Sequence, residues 1–427
     1  MSLVPEATNP ISTGPIRDDE RAIVLDVLRG VALLGILVIN IQIFAQPDQS
    51  FGFGEHDLTV DRLVLLLISC FIQAKFYSLF SFLYGVGFAV QMRNANEGDS
   101  RATRRFFRRS AALAMFGILH IVLVWDGDIL LAYALTGLLL PLYRNVSDKA
   151  LKRWIVCLIS IPFLLALLAF ILVFLFRLIP SVDTSLHETE AQILKGIQEQ
   201  TAAEIEKLQT STYLTAMRRR VLHYLLFYTF GLGISVPAFL GMFLTGLLVG
   251  RRRIPMQLSE HRPLLRKAAM ICLSIGLPVA LFTSITALIA PLLTAVPTQF
   301  FNNYFAGPIL GLGYAAVMAL IVCRWPSATW LKPIAATGRM GFTKYLMQSV
   351  VCTTFFAGYG LGQAGKFGPL QLVGLALALY AIQLVLSTIW LRYFEFGPME
   401  WLWRTLTYGK FPPFLRRENP VVPLQAT

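Results

Sequence analysis

The sequence predicts an all-α, polytopic integral membrane bundle of about ten transmembrane helices, with both termini cytoplasmic. Three observations carry this expectation. Charged residues are 14% of the 427 and apolar residues 56%, whereas an ordinary soluble domain is about one quarter charged. Mean hydropathy is +0.63. Apolar runs recur along the chain, separated by short basic clusters, and roughly 20 apolar residues are needed to cross a bilayer as a helix. So few charges cannot cover a soluble surface, which excludes a cytosolic globular enzyme, a disordered chain and a secreted disulfide scaffold. Lipid demands that backbone groups bond within their own segment, so the spans must be helices.

Taken in order, the candidate spans are 22–44, 62–91, 110–125, 129–143, 154–179, 222–249, 268–295, 304–323, 340–361 and 369–391. Residues 1–20 read as a polar tail without a cleavable signal peptide, 21–392 as the bundle and 393–427 as a second tail. Basic residues cluster at 93–109, 144–153, 251–267, 324–332 and 404–417. Ten spans with the N-terminus inside place every cluster in the cytoplasm. The acidic 45–61 loop (Asp48, Glu55, Asp57, Asp61) then lies outside. The net charge of +13 is therefore a topological signal, and no nucleic-acid partner is expected. Five scattered cysteines form no paired spacing and predict neither disulfide nor metal site. The large external loop, 180–221, carries Leu194, Ile197, Ile205 and Leu208 at helical spacing. That pattern fits an amphipathic helix on the outer membrane face or a plain solvated connector.

Intramembrane ionisable residues are costly, so each is a candidate for function. Asp26 and Arg29 can pair on one face of the first span, either as a snorkelling anchor or as a clamp for an anionic group from the cytoplasm. Spans three and four are short and joined by Trp125-Asp126-Gly127-Asp128. His120 precedes this turn, and a carboxylate beside an imidazole sets its tautomer and raises its basicity. The plainer alternative is a histidine that only bonds between helices. Lys75 lies too deep to snorkel and is expected to pair with Asp126 or Asp128. Tyr77, Trp125, and Asn40 and Gln42 at the outer end of span one are candidates to line the same cavity. Gly85 and Gly87 would allow close helix approach or a bend. Arg104, Arg105, Arg108 and Arg339 are candidate phosphate ligands, or simple positive-inside residues. There is no P-loop, no dinucleotide fingerprint, no Gly-x-Ser-x-Gly elbow, and no matched pair of broken helices.

Five ordered blocks carry a family resemblance: RAIVLDVLRGVALLGILVINIQIF, QAKFYSLFSFLYGVGFAVQ, GILHIVLVWDGDILLAYALTGLLLP, GRMGFTKYLMQS and GPMEWLWRTLTYG. Together they resemble the YeiB-like family of bacterial inner-membrane proteins, and 240–410 resembles the domain of unknown function 418. The Leu-Asp-x-x-Arg-Gly opening and the intramembrane histidine are also distantly similar to transmembrane acyltransferases acting on lysosomal glucosaminides and bacterial sugars. That resemblance implies a cytoplasmic acyl-CoA donor, with Asp26 and Arg29 matching the first-helix motif; the basic 101–109 segment, with Arg29, is expected to hold the donor's phosphates. It implies an acceptor on the far side and His120 at the reacting centre; the expected acceptor is an envelope sugar, lipid or amine, with Asp126 and Asp128 tuning His120 and Lys75 stabilising the developing oxyanion or orienting a carboxylate. The other expectations are a proton-coupled solute transporter using Lys75, His120 and Asp128, and a non-catalytic membrane partner.

Overall fold

A computed structural model describes residues 23–46, 60–93 and 100–416. The expected polar N-terminal tail, most of the 45–61 loop and the end of the C-terminal tail lie outside the described residues. The described chain is helical, and its one β feature is an isolated antiparallel bridge between Phe394 and Leu415.

The first helix, α1 (Ile23–Ala45), is followed by α2 (Val60–Phe71), α3 (Lys75–Arg93), α4 (Ser100–Leu123) and the short α5 (Leu130–Gly137). Next come α6 (Asp148–Arg177), α7 (Pro180–Thr210), α8 (Tyr213–His223) and α9 (Thr229–Arg251). The remainder is α10 (Arg262–Ile289), α11 (Leu292–Phe301), α12 (Gly307–Arg324), α13 (Leu331–Arg339), α14 (Gly341–Phe356), α15 (Pro369–Tyr393) and α16 (Pro398–Tyr408).

Among the described residues, eight helical stretches are long and apolar enough to cross a bilayer, where the sequence reading has ten. The two missing are the fourth and ninth. Span four is an eight-residue α5 continued by a 3-10 turn at Leu140–Tyr143, and α14 has 16 residues. Span three, expected to be short, is a 24-residue helix that includes the 101–109 arginines. Charge hides those first turns from a hydropathy reading, yet Ala102 and Phe106 pack inward on the face between the arginines. The 180–221 loop is helical too, as α7 and α8. Leu194, Ile197, Ile205 and Leu208 are shielded to different degrees, and Ile205 and Leu208 join the core beneath.

Two spans are interrupted, and the two breaks meet. Between α2 and α3 the chain turns at 72–74, with Ala74 at φ 68°, a left-handed conformation that a residue with a Cβ adopts only under constraint. Between α11 and α12 a π-helical turn covers Asn302–Ala306, the kind of local insertion found at functional positions.

The core is built on α3 packed along α9, with α1 against α13, α14 and α15. At the first contact the backbones nearly touch: a Cβ on Gly85 would lie 1.9 Å from the Phe243 carbonyl oxygen, and one on Gly246 would lie 2.0 Å from that of Phe82. Small residues permit such close approach within lipid; Gly87, by contrast, meets nothing. We expect Gly85→Ala to force α3 and α9 apart and destabilise the protein by about 1–3 kcal/mol, read as a lowered melting temperature in detergent. Gly87→Ala should leave that temperature unchanged.

Helix pairing gathers the basic clusters at one end. The Arg251 guanidinium donates to the carbonyls of Tyr143, Arg144 and Val146, while Arg252 pairs with Asp148 at 2.9 Å. Arg108 donates to the Leu406 carbonyl, and Arg109 lies 4.4 Å from the Trp403 ring centroid. Glu400 on α16 accepts from the Phe342 and Thr343 backbone N–H groups at 2.7 and 3.1 Å. It thereby satisfies the open donors at the start of α14. Burial pushes the Glu400 carboxyl above the usual carboxylate range, and its bonds to Thr343 and the backbone pull it back.

Candidate functional site

At the other end of the bundle, α4 stops at Leu123 and the chain turns through Trp125–Asp128 into α5. His120 and Asp128 are 2% and 6% exposed. His120 Nδ1 and Asp128 Oδ1 are 2.9 Å apart. The other carboxylate oxygen of Asp128 accepts the Leu131 backbone N–H at 2.7 Å, which fixes the carboxylate at the start of α5. With Asp128 accepting from Nδ1–H, the imidazole presents Nε2 as its basic nitrogen. Nε2 is buried and has no hydrogen-bond partner among the described residues. The imidazole packs beside two aromatic rings, its centroid 5.4 Å from that of Tyr345 and 6.4 Å from that of Trp125.

Gly117 makes this pair geometrically allowed. A Cβ there would lie 2.6 Å from the Leu131 nitrogen and 2.9 Å from Asp128 Oδ2, on the groups that hold the carboxylate. Gly117→Ala is expected to push α5 away and break the His120–Asp128 bond. An imidazole NMR signal would report the lost hydrogen bond, and any His120-dependent activity should fall at least tenfold.

Asp126 does not join His120. Its carboxylate is bound by His223 Nδ1 at 2.6 Å, so the turn carries two separate His–Asp pairs. The partner comes from α8, which covers the turn. Tyr213 and Arg220, also on α8, both donate to the Leu123 carbonyl, at 2.8 and 3.0 Å. Sequence reading missed His223 and Arg220. A signal was present: Arg218-Arg219-Arg220-x-x-His223 places positive charge at the end where the other clusters are not.

Lys75 is fully buried and goes neither to Asp126 nor to Asp128. Its ammonium donates to the Ser69 carbonyl at 2.7 Å and to Asn302 Oδ1 at 3.1 Å. Ser69 lies in the last turn of α2, whose interrupted end leaves carbonyls open. A cation there meets the negative end of the helix dipole, so it needs no carboxylate. The Asn302 amide also donates to the Ser69 carbonyl, at 3.1 Å, and Ser284 Oγ donates to Ser69 Oγ at 2.9 Å. Tyr77 sits between the two centres. Its hydroxyl donates to the Asn303 carbonyl, while its own carbonyl accepts from Tyr133 of α5 at 2.6 Å.

Of the remaining candidates, Asp26 and Arg29 pair at 2.8 Å as expected. Arg339 is brought to the same helix by α13, whose Gly338 lies against the Asp26 carbonyl. Arg104, Arg105 and Arg108 lie on α4 at this basic end. Gln42 donates to the Pro369 carbonyl at 3.4 Å, which directs it to α15 and away from the His120 pair, while Asn40 is half-buried. Phe44, four residues further along α1 than Asn40, does reach the turn, its ring centroid 4.2 Å from that of Trp125. Among the described residues no group of three or more His, Cys, Asp or Glu is placed to hold a metal ion.

Comparison with known proteins follows the same outline. The family model described as "Protein of unknown function (DUF418)" matches residues 249–410. The uncharacterized protein YxaH of Bacillus subtilis is 34% identical, the match covering 95% of this chain and 99% of YxaH. The uncharacterized protein YeiB of Escherichia coli is 30% identical, covering 94% of this chain and all of YeiB. An uncharacterized 39.9 kDa protein of Bacillus acidopullulyticus, from an amylase 3' region, is 30% identical over 95% of this chain and 99% of its own. No solved structure matches the chain. A helical membrane protein matched end to end by these relatives, this chain belongs to the DUF418 family of YeiB and YxaH.

Proposed function

We propose that the protein is an acyltransferase of the bacterial inner membrane, moving an acyl group from cytoplasmic acyl-CoA to an envelope sugar, lipid or amine. The observation that carries this reading is the His120–Asp128 pair: a buried imidazole with one nitrogen fixed by a carboxylate and the other unpartnered. That is the arrangement of a general base. His120 Nε2 takes the proton of the acceptor hydroxyl or amine as that atom attacks the thioester carbonyl. The carbon–sulfur bond then breaks, and the thiolate recovers the proton from the imidazolium. Products are the acylated acceptor and the free thiol of CoA.

The basic end of the bundle supplies cation-rich surface for the donor's phosphates, with Arg29, Arg104, Arg105, Arg108 and Arg339 on three helices. Trp125 would line the reaction cavity. Lys75, held by Ser69 and Asn302, takes no part at the His120 pair. Binding of acetyl-CoA and longer acyl-CoAs to the detergent-purified protein tests the donor half. A saturable rise in melting temperature, as mass action on the folded state requires, is expected and should be lost when Arg29 is changed to Gln. No rise across the acyl-CoA series would remove the donor from the reading.

One observation favours a second reading. Two interrupted helices meeting at a buried lysine resemble the discontinuous helices that build transporter sites. A transporter would respond to a proton gradient in liposomes without any thioester.

A further inference from the structure

Two arginines at the His120 end of the bundle are paired with carboxylates. Arg177 binds Asp183 and Glu190 at 2.9 and 2.6 Å, and Arg219 binds Glu204 at 3.3 Å. Arg220 is 4% exposed, more deeply placed than either neighbour, yet its partners are neutral. One Nη donates to the Leu123 carbonyl at 3.0 Å, the other to the Tyr359 hydroxyl at 2.8 Å. The rings of Tyr213 and Tyr359 lie 5.7 and 5.5 Å from the guanidinium carbon. Asp126, the carboxylate on the adjoining turn, is engaged by His223. A buried cation without a counter-ion is costly, and a guanidinium has five N–H donors arranged to grip a planar or tetrahedral anion.

These two bonds hold the fork at Leu123, one helical turn from His120. We infer that Arg220 is an anion subsite for the acceptor, which therefore carries a phosphate or carboxylate near the group that is acylated. The subsite rests on the acyl-transfer reading for the word acceptor, although its anion binding does not depend on that chemistry. Tyr359 is a positioning residue, since its hydroxyl orients one arm of the fork. Phosphate has two sources here, a lipid headgroup or a soluble phosphate ester.

The test uses the full-length protein in detergent, at constant ionic strength set with chloride. Glycerol phosphate should raise the melting temperature saturably and glycerol should not. Arg220→Gln should abolish the rise, Arg219→Gln should keep it, and Tyr359→Phe should weaken apparent affinity about tenfold by loosening the fork. Tyr359→Phe keeps the charge, so it serves if Arg220→Gln does not fold. Flotation with phosphatidylglycerol against phosphatidylcholine vesicles separates the sources. Arg220-dependent preference for phosphatidylglycerol without a glycerol phosphate effect assigns a lipid headgroup, and an effect with glycerol phosphate assigns the ester itself. Neither probe distinguishing wild type from Arg220→Gln or Tyr359→Phe overturns the subsite. Arg220-dependent binding without any acyl transfer would leave the subsite standing while the His120 reading fails. Transfer that is insensitive to Arg220→Gln would do the reverse.

Discussion

Replacing His120 by alanine is expected to lower acyl transfer by about 10²- to 10⁴-fold, the contribution of a positioned general base. The protein should remain folded, because the side chain bonds to Asp128 and to no other described group. Asp128→Asn is the sharper probe. An amide can still accept the Leu131 N–H and keep the turn closed. It can also present its NH2 to His120 Nδ1, which turns the tautomer round and leaves a proton on Nε2, where the base is needed. Transfer should fall nearly as far as in His120→Ala with little change in melting temperature. Asp126→Asn acts elsewhere, on the His223 contact, and should cost far less. Rates of label transfer from acyl-CoA by the three variants, each checked by circular dichroism, decide the order.

Lys75→Met should have the largest effect on stability. The substitution removes the ammonium, leaves Asn302 Oδ1 without its donor and leaves the Ser69 carbonyl to the Asn302 amide alone. Orphaning buried polar groups that a charge had satisfied costs about 2–4 kcal/mol. Replacing both members, as Lys75→Met with Asn302→Leu, removes their mutual bond from both sides but also strips the Ser69 carbonyl of both its donors, so the loss in the double variant should depart from the sum of the singles. Thermal unfolding in detergent measures both. Additive losses would mean that the ammonium and the amide are not coupled.

The fold was legible because hydropathy and loop charge report directly on a bilayer: apolar runs become helices and most of the basic clusters collect at one end. Legibility failed where those two signals conflict. Arg101–Arg109 reads as loop by charge but forms the first turns of α4, because its inward positions are Ala102 and Phe106. The breaks at 72–74 and Asn302–Ala306 contain no proline, the usual sign of an interruption. A lysine and an asparagine that stabilise each other across 227 residues leave no local pattern.

The site divides the same way. His120 and Asp128 are eight residues apart across one turn, and their pairing follows from local spacing. Asp26 and Arg29 likewise pair at helical spacing. The same reasoning places Asp126 with His120, whereas Asp126 pairs with His223, 97 residues away, because α8 folds back over the turn. Sequence reasoning pairs Lys75 with a carboxylate because a buried charge needs a partner. An interrupted helix end answered that need with carbonyls, and sequence alone does not place a helix end next to a side chain.

The most direct test of the central claim follows radiolabel from the acyl group of acyl-CoA in membranes containing the wild-type protein or His120→Ala. The account predicts that label passes into an envelope sugar, lipid or amine fraction with the wild type and drops at least a hundredfold with the variant. Equal labelling by the two proteins, with His120→Ala folded and present at the same level, would contradict it.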